Sequence, residues 1–114
     1  MKNIVIITPV YNDWDSFTKL IDEINKVILK FKDISFNLIA VNDGSDEKVP
    51  LISLPSNIKA IEILNMKINQ GHARCIATGL KYIYEKENFD YIIPMDGDGE
   101  DKPEEIKKFL DQIN

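Results

Sequence analysis

The apolar residues of this chain fall into short continuous runs separated by longer segments with helical spacing. The short runs are NIVIIT at 3–8, FNLIAV at 36–41, IKAIEIL at 58–64 and YIIPM at 91–95. Runs of this length are typical of strands that are covered on both faces, as in a parallel sheet. The run at 58–64 partly alternates, which predicts a less buried strand nearer an edge. We expect Pro9 to end the first strand.

Three other segments have the i, i+3, i+4 spacing of amphipathic helices. The first is capped at Asp15 or Ser16 and has its apolar face at Phe17, Leu20, Ile21, Ile24, Val27, Ile28 and Phe31. The second opens at 69–71 and repeats apolar residues at Ala73, Ile76, Ala77, Leu80, Ile83 and Tyr84. The third begins around Pro103 and buries Ile106, Phe109, Leu110 and Ile113; proline and acidic residues suit its first turn.

Strands that alternate with helices predict an α/β domain with right-handed crossovers and a mainly parallel sheet. For four strands in the order 3-2-1-4, with helices on both faces, the chain reverses direction between the first and the fourth strand. Ligands bind at such a point, outside the carboxyl ends of the strands. The polar clusters at 9–13, 43–46 and 96–101 all follow predicted strands, so we expect them on one edge of the sheet.

Length and composition predict a single cytoplasmic domain. The 114 residues are 44% hydrophobic and 29% charged, which is ordinary for a globular domain with one core. The net charge of -5 comes without a basic stripe, which argues against a nucleic-acid partner. Cys75 stands alone, which excludes an internal disulfide and fits a reducing compartment. The apolar run near the N-terminus is too short for a signal sequence or a membrane span.

The acidic segment DGDGED at 96–101 is the strongest indication of chemistry. Asp96 and Asp98 are two residues apart, so in an extended chain both carboxylates can face the same way. Two charges about 4 Å apart repel by roughly 4 kcal/mol at an effective dielectric constant near 20, so such a cluster needs solvent or a counter-ion. Oxygen ligands favour Mg²⁺ or Mn²⁺. The alternative is a solvated acidic turn that caps the next helix.

Four segments in this order carry a resemblance: TPVYND, VNDGSD, NQGHARCIATGL and MDGDGEDKPE. Together they resemble the nucleotide-binding half of a GT-A glycosyltransferase, and in particular the large inverting family 2 that includes dolichyl-phosphate sugar synthases. The resemblance extends from about Ile4 to Ile106. It implies a Rossmann-like GT-A half that binds a nucleoside diphosphate sugar, such as a UDP- or GDP-sugar, together with Mg²⁺ or Mn²⁺.

The resemblance also implies roles for the residues of the first two motifs. Pro9, Tyr11 and Asn12 match a P-x-Y-N segment that lines the base and ribose, and Asp43 matches the second acid of a D-D-G-S motif, which accepts a hydrogen bond from the base. Asn42 stands where the family has the first acid. Tyr11 could instead fold onto the first helix, and Asp43 could simply form a turn.

The other two motifs match the segments that bind the phosphates and the metal in this family. The family's N-x-G segment at a helix start corresponds to Asn69, Gly71, His72 and Arg74. A diphosphate can be held there. Asp96 matches the acid that approaches the ribose, Asp98 the acid that holds the metal, and Glu100 a third residue on the metal side in some synthases.

An inverting transferase also needs a general base and an acceptor-binding half, and in this family both follow the DxD strand. We therefore expect residues 1–114 to be a donor-binding domain without the acceptor half of the full enzyme. The resemblance implies contact with a membrane only through missing regions of the protein or through a lipid-linked acceptor. The fourth strand could leave an open sheet edge for a homodimer.

Three alternatives compete with this resemblance. A haloacid-dehalogenase-like phosphatase normally has its nucleophile after the first strand, and Glu100 stands where it has a small hydroxyl residue. A calcium-binding EF-hand loop requires glycine where this chain has Asp101, and Pro103 falls inside the loop. A non-catalytic nucleotide-binding or regulatory module with the same fold stays open.

Overall fold

The computed structural model describes residues 2–86, 88–95 and 104–113. In chain order these form β1 (Lys2–Val10), α1 (Trp14–Ile28), β2 (Ile34–Asn42), β3 (Ala60–Asn65), α2 (His72–Lys86), β4 (Tyr91–Pro94) and α3 (Glu104–Ile113). Within this part of the chain, no helix is long and apolar enough to cross a membrane.

The strands form a four-stranded sheet in the order β3-β2-β1-β4. Every pairing is parallel, with Ile6 opposite both Leu38 of β2 and Ile93 of β4, and Leu38 opposite Ile61 of β3. This confirms the predicted α/β class and strand order. In the described pairings β3 and β4 each have one neighbour, and the homodimer through an open edge stays a prediction.

The two faces of the sheet carry separate apolar cores, because successive side chains of a strand point to opposite faces. On one face, Ile4 and Ile6 of β1 pack with residues of α1 and α3. On the other, Val5 and Ile7 pack with Cys75 and Ile83 of α2. Helices therefore cover both faces, as predicted, and the interior strand β1 is buried from Ile4 to Val10.

α2 buries Ile83, as predicted, but otherwise buries different residues from those predicted. Its buried residues are Cys75, Gly79 and Ile83, whereas Leu80 and Tyr84 of the predicted apolar face are exposed. A Cβ atom on Gly79 would lie 2.0 Å from Cδ1 of Ile7, so the helix approaches the sheet most closely at a residue without a side chain. Close packing at Gly79 thus determines which face of α2 is buried, and the spacing of the large apolar residues did not predict it.

The prediction that Pro9 ends the first strand is wrong. β1 continues to Val10, with Pro9 opposite Val41 of β2. The Ile7 carbonyl accepts from Met95 N and the Val10 carbonyl from Asp43 N, so alternate residues of β1 face β4 and β2. Pro9 therefore faces the β4 side, where the described pairing ends at Ile7 and Pro94. A proline there removes no donor from the pairing with β2.

The first helix begins earlier than predicted. Its N-cap is Asp13, whose Oδ1 accepts a hydrogen bond from Ser16 N at 3.3 Å, and Asp15 lies inside the first turn. The prediction of a cap at Asp15 or Ser16 was therefore wrong by two or three positions. The third helix agrees with its prediction, since Ile106 and Leu110 are buried, with Phe109 and Ile113 packed beside them.

Candidate functional site

The loops that carry the sequence motifs start side by side. Because every strand is parallel, all the carboxyl ends lie on one edge of the sheet. Two backbone bonds continue the strand pairing into the loops: Asp43 N donates to Val10 O, and Met66 N donates to Asn42 O, each at 2.8 Å. The loops after β1, β2 and β3 are thus neighbours from their first residue.

Asn12 ties the loop after β1 to the loop after β2. Its side-chain Oδ1 accepts hydrogen bonds from Asp46 N at 2.8 Å and Glu47 N at 3.1 Å, and its own backbone N donates to Ser45 Oγ at 2.9 Å. The backbone of Asn12 has a positive φ of 48°, a conformation that asparagine tolerates better than most residues. The motif residue Asn12 therefore has a structural role in shaping this edge.

Asn42 joins the loops after β2 and β3. Its Nδ2 donates to Asn65 Oδ1 at 3.0 Å, while its Oδ1 accepts from Ser45 N at 3.1 Å. A carboxylate has no donor, so an acid at this position could bond to Asn65 only by accepting from Asn65 Nδ2, with the Asn65 amide turned over. The departure from the D-D-G-S pattern therefore comes with a hydrogen bond between two amide side chains at this edge.

Asp43 is completely buried, with 0% of its surface exposed. Its Oδ1 accepts from Gln70 N at 2.7 Å, and its Oδ2 accepts from Gly71 N and from Asn69 Nδ2, each at 3.0 Å. A buried carboxylate is costly unless it is hydrogen-bonded, and these donors meet that need. The side chain binds the segment that leads into α2.

Cys75, in the first turn of α2, reaches the same carboxylate. Burial, a hydrogen bond to Asp43 and the charge of Asp43 together raise the pKa of the Cys75 thiol to about 12. The thiol is therefore protonated at neutral pH and donates to the carboxylate. The sequence alone identified Cys75 only as an unpaired cysteine; its position four residues after Gly71, on the same side of the helix, is the signal for this second role.

The start of α2 is suited to an anion. Gly71 has a positive φ of 90° and its carbonyl accepts from Cys75 N at 3.1 Å. The first turn has no acidic residue, and it contains the exposed Arg74. A guanidinium group beside the N–H groups of a helix start favours binding of a phosphate or diphosphate.

Tyr11 and Trp14, close together in sequence, have different environments. Trp14 is buried and packs edge-on against Phe17, with ring centroids 5.7 Å apart. Tyr11 is 43% exposed, so part of its ring is accessible at the edge. An exposed aromatic face can stack on a planar ligand.

The structure thus brings five of the predicted residues to one edge of the sheet: Tyr11, Asn12, Asp43, Gly71 and Arg74. Pro9 is buried within β1 just below them. The predicted ribose and metal residues Asp96, Asp98 and Glu100 lie outside the described residues. Ser45, which the sequence reasoning did not single out, binds both Asn12 and Asn42.

No group of three or more histidine, cysteine, aspartate or glutamate residues that could hold a metal ion occurs within 2–86, 88–95 and 104–113. Asp43, the buried acid at this edge, already accepts hydrogen bonds at both oxygens.

Residues 5–114 match the family model of Glycosyl transferase family 2. This chain belongs to glycosyl transferase family 2. The resemblance seen in the four motifs is confirmed, and membership supports a role in glycosyl transfer.

Curated relatives of this family 2 chain include an uncharacterised glycosyltransferase of Synechocystis, 31% identical over 94% of this chain and 33% of its own length. An uncharacterised protein of Methanocaldococcus jannaschii is 27% identical over 96% of this chain and 46% of its own length. An undecaprenyl-phosphate 4-deoxy-4-formamido-L-arabinose transferase of Yersinia pestis is 28% identical, again over 96% of this chain and 33% of its own. The chain thus spans between a third and a half of the length of these relatives.

Proposed function

We propose that this chain is the donor-binding domain of an inverting glycosyltransferase and that it binds a nucleoside diphosphate sugar at the carboxyl edge of the sheet. The observation that carries the proposal is the way the three loops are joined. Asn12, Asn42 and Asp43 connect them through hydrogen bonds, while Tyr11 and Arg74 stay exposed at the same edge. A rigid edge that presents an aromatic ring and a guanidinium group suits a ligand with a base and a diphosphate.

Each of the motif residues has a role in this proposal. Tyr11 stacks on the base, with Pro9 and Asn12 shaping the wall of the base and ribose pocket. Arg74 and the N–H groups that follow Gly71 bind the diphosphate by charge-assisted hydrogen bonds. Asp96 contacts the ribose.

A divalent ion, Mg²⁺ or Mn²⁺, belongs to the proposal through the acidic residues Asp96, Asp98 and Glu100. Support comes from the oxygen-only donor set in the sequence, which these ions prefer. When bound, such an ion supplies positive charge that offsets the negative charge on the leaving diphosphate. Arg74, in the first turn of α2, also offsets the negative charge of the diphosphate.

The acceptor-binding half and the general base are proposed to lie in sequence beyond this domain. The name of the Yersinia relative, an undecaprenyl-phosphate transferase, suggests a polyprenyl phosphate as an acceptor class to test. Such an acceptor would bring the full protein to the cytoplasmic face of a membrane. We expect the isolated chain to bind nucleotide and to transfer sugar poorly, so robust transfer by this chain alone would contradict the division of roles.

Titration calorimetry with UDP and GDP tests the donor site, in Mg²⁺, in Mn²⁺ and in EDTA. We expect one nucleotide to bind only with a metal, and Asp98→Ala to abolish that binding. Asp33→Ala is the matched control, because Asp33 is an exposed acid just before the amino end of β2, on the opposite edge of the sheet. Arg74→Gln should weaken binding roughly tenfold, as expected for loss of a charge-assisted hydrogen bond, whereas Lys86→Gln at the far end of α2 should not.

Two results would count against the proposal in different ways. Tight nucleotide binding that EDTA does not change would exclude the metal role and leave the nucleotide site in place. No binding of either nucleotide, by a folded chain supplied with metal, would exclude the donor site itself.

A further inference from the structure

We propose that Asp43 is a positioning residue for the diphosphate site: its buried carboxylate holds the backbone before α2 and thereby aims the first turn of that helix. The ligand-binding part of this inference rests on the proposed function. The positioning part rests on hydrogen bonds within the chain.

The carboxylate of Asp43 is buried and hydrogen-bonded within the chain. Three donors bind it, namely Gln70 N, Gly71 N and Asn69 Nδ2, and the Cys75 thiol lies beside it. None of the surface of Asp43 is exposed.

The geometry of the bonds explains how Asp43 orients α2. Its two oxygens bind two consecutive amides, Gln70 N at 2.7 Å and Gly71 N at 3.0 Å, so the peptide between them cannot rotate while both bonds persist. Gly71 in turn accepts from Cys75 N at 3.1 Å. Asp43 therefore touches the residue before the helix and also a residue of its first turn.

Arg74 lies between these two contacts in the sequence. Gly71 precedes it and Cys75 follows it, and both contact Asp43. The carboxylate thus sets the orientation of the turn that presents the guanidinium group and the helix N–H groups. Loss of the carboxylate should displace the diphosphate-binding groups even though Asp43 contacts no phosphate.

A direct base contact and a positioning role give different ligand profiles. Inorganic pyrophosphate has no base, so a residue that only contacts the base has no effect on its binding. A residue that positions the first turn of α2 affects pyrophosphate as much as a nucleotide. The two roles also differ in their coupling to Arg74, since a residue that acts through Arg74 has little further effect once that side chain is removed.

Calorimetry with UDP, GDP and inorganic pyrophosphate, all with Mg²⁺, distinguishes these roles in wild type and in Asp43→Asn. We expect Asp43→Asn to weaken every ligand that the wild type binds by a similar factor, roughly tenfold. The loss should be much smaller when Arg74 is already changed to Ala. A loss confined to the nucleotides, with pyrophosphate binding unchanged, would overturn the inference.

Amide hydrogen exchange supplies a measurement that needs no ligand. In wild type the Gln70 and Gly71 amides should exchange slowly, and in Asp43→Asn they should exchange faster. Lys59 N, which donates to Phe36 O at 2.7 Å on another part of the fold, should be unaffected. Unchanged protection of Gln70 and Gly71 in Asp43→Asn would also overturn the inference.

The two proposals can fail separately. If the wild type binds neither nucleotide nor pyrophosphate, the donor-site proposal fails, and amide exchange still decides the role of Asp43. If Asp43→Asn does not fold, Asn69→Ala replaces it, because this change removes one donor from the carboxylate and leaves the carboxylate in place. Asn69→Ala should then weaken pyrophosphate and nucleotide alike, and a loss confined to nucleotides would contradict the positioning role.

Discussion

Gly44 and Asn69 approach so closely that a Cβ atom on Gly44 would lie 2.6 Å from the backbone nitrogen of Asn69. Gly44 also has a positive φ of 70°, so any other residue at this position would be strained in its backbone and would clash with Asn69. The contact joins the loop after β2 to the segment that leads into α2. It therefore supports the same segment that Asp43 binds.

Gly44→Ala should destabilise the fold by more than the conformational cost alone. A non-glycine residue with positive φ costs about 1–2 kcal/mol, and here the added methyl group would also overlap the backbone. Gly71→Ala is the matched control, because Gly71 has a positive φ of 90° with nothing within 4 Å of an added Cβ. Urea denaturation should show a larger loss of unfolding free energy for Gly44→Ala. Equal losses would mean that the backbone at Asn69 shifts to accommodate the methyl group without a measurable loss of unfolding free energy.

Gly79→Ala should also destabilise the protein, although alanine favours a helix. The gain in helix propensity is about 1 kcal/mol, while overpacking a core typically costs about 1–3 kcal/mol. The new methyl group would lie 2.0 Å from Ile7 Cδ1, and Ile7 is fully buried, so we expect the packing cost to exceed the gain in helix propensity.

Ile7→Val removes the atom that the Gly79→Ala methyl group meets first. The double variant should therefore lose less unfolding free energy than the sum of the two single variants. Additive losses in urea denaturation would show that α2 moves away from the sheet as a whole.

Thr8→Val should stabilise the fold. The hydroxyl of Thr8 is buried and, within the described part of the chain, has no hydrogen-bond partner. Valine has the same shape without the hydroxyl, so the change removes an unsatisfied buried group that costs about 1–3 kcal/mol. Thermal denaturation should show a higher Tm.

Thr18→Val is the control for Thr8→Val. Thr18 Oγ1 donates to Trp14 O at 2.9 Å, so the same substitution there removes a bond that is made. It should lower Tm slightly or leave it unchanged. A lower Tm for Thr8→Val would indicate that its hydroxyl has a partner in solution.

The Cys75 thiol should make stability fall at alkaline pH. Its pKa rises from 9.0 to about 12 on folding, so the folded state binds the proton more tightly. The stabilisation is complete below pH 9 and is lost between pH 9 and about 12, at up to about 1.4 kcal/mol per pH unit.

Cys75→Ser isolates this effect, because serine keeps a donor for Asp43 and does not titrate in this range. The unfolding free energy of the wild type should fall relative to that of Cys75→Ser as pH rises above 9, the ordinary pKa of the thiol. Urea denaturation under reducing conditions measures it. A difference that stays constant with pH would show that Cys75 ionises as easily in the folded protein as in the unfolded one.

The sequence by itself determined the order of strands and helices and the parallel sheet. Apolar periodicity is a local property, and the handedness of β-α-β connections limits how such elements can be arranged. The sequence also brought Tyr11, Asp43 and Arg74 to one edge, because the carboxyl ends of parallel strands share an edge.

Only the tertiary structure decided which face of α2 is buried, whether Pro9 stays within β1, and what Asp43 binds. Each depends on atoms far apart in sequence: Gly79 against Ile7, the end of β4 beside β1, and a carboxylate bonded to residues 26 to 28 positions away. Periodicity measures how often apolar residues recur, not how closely two elements approach. Similarly, the type of residue in a motif shows that Asp43 can accept hydrogen bonds, but the folded chain selects the donors.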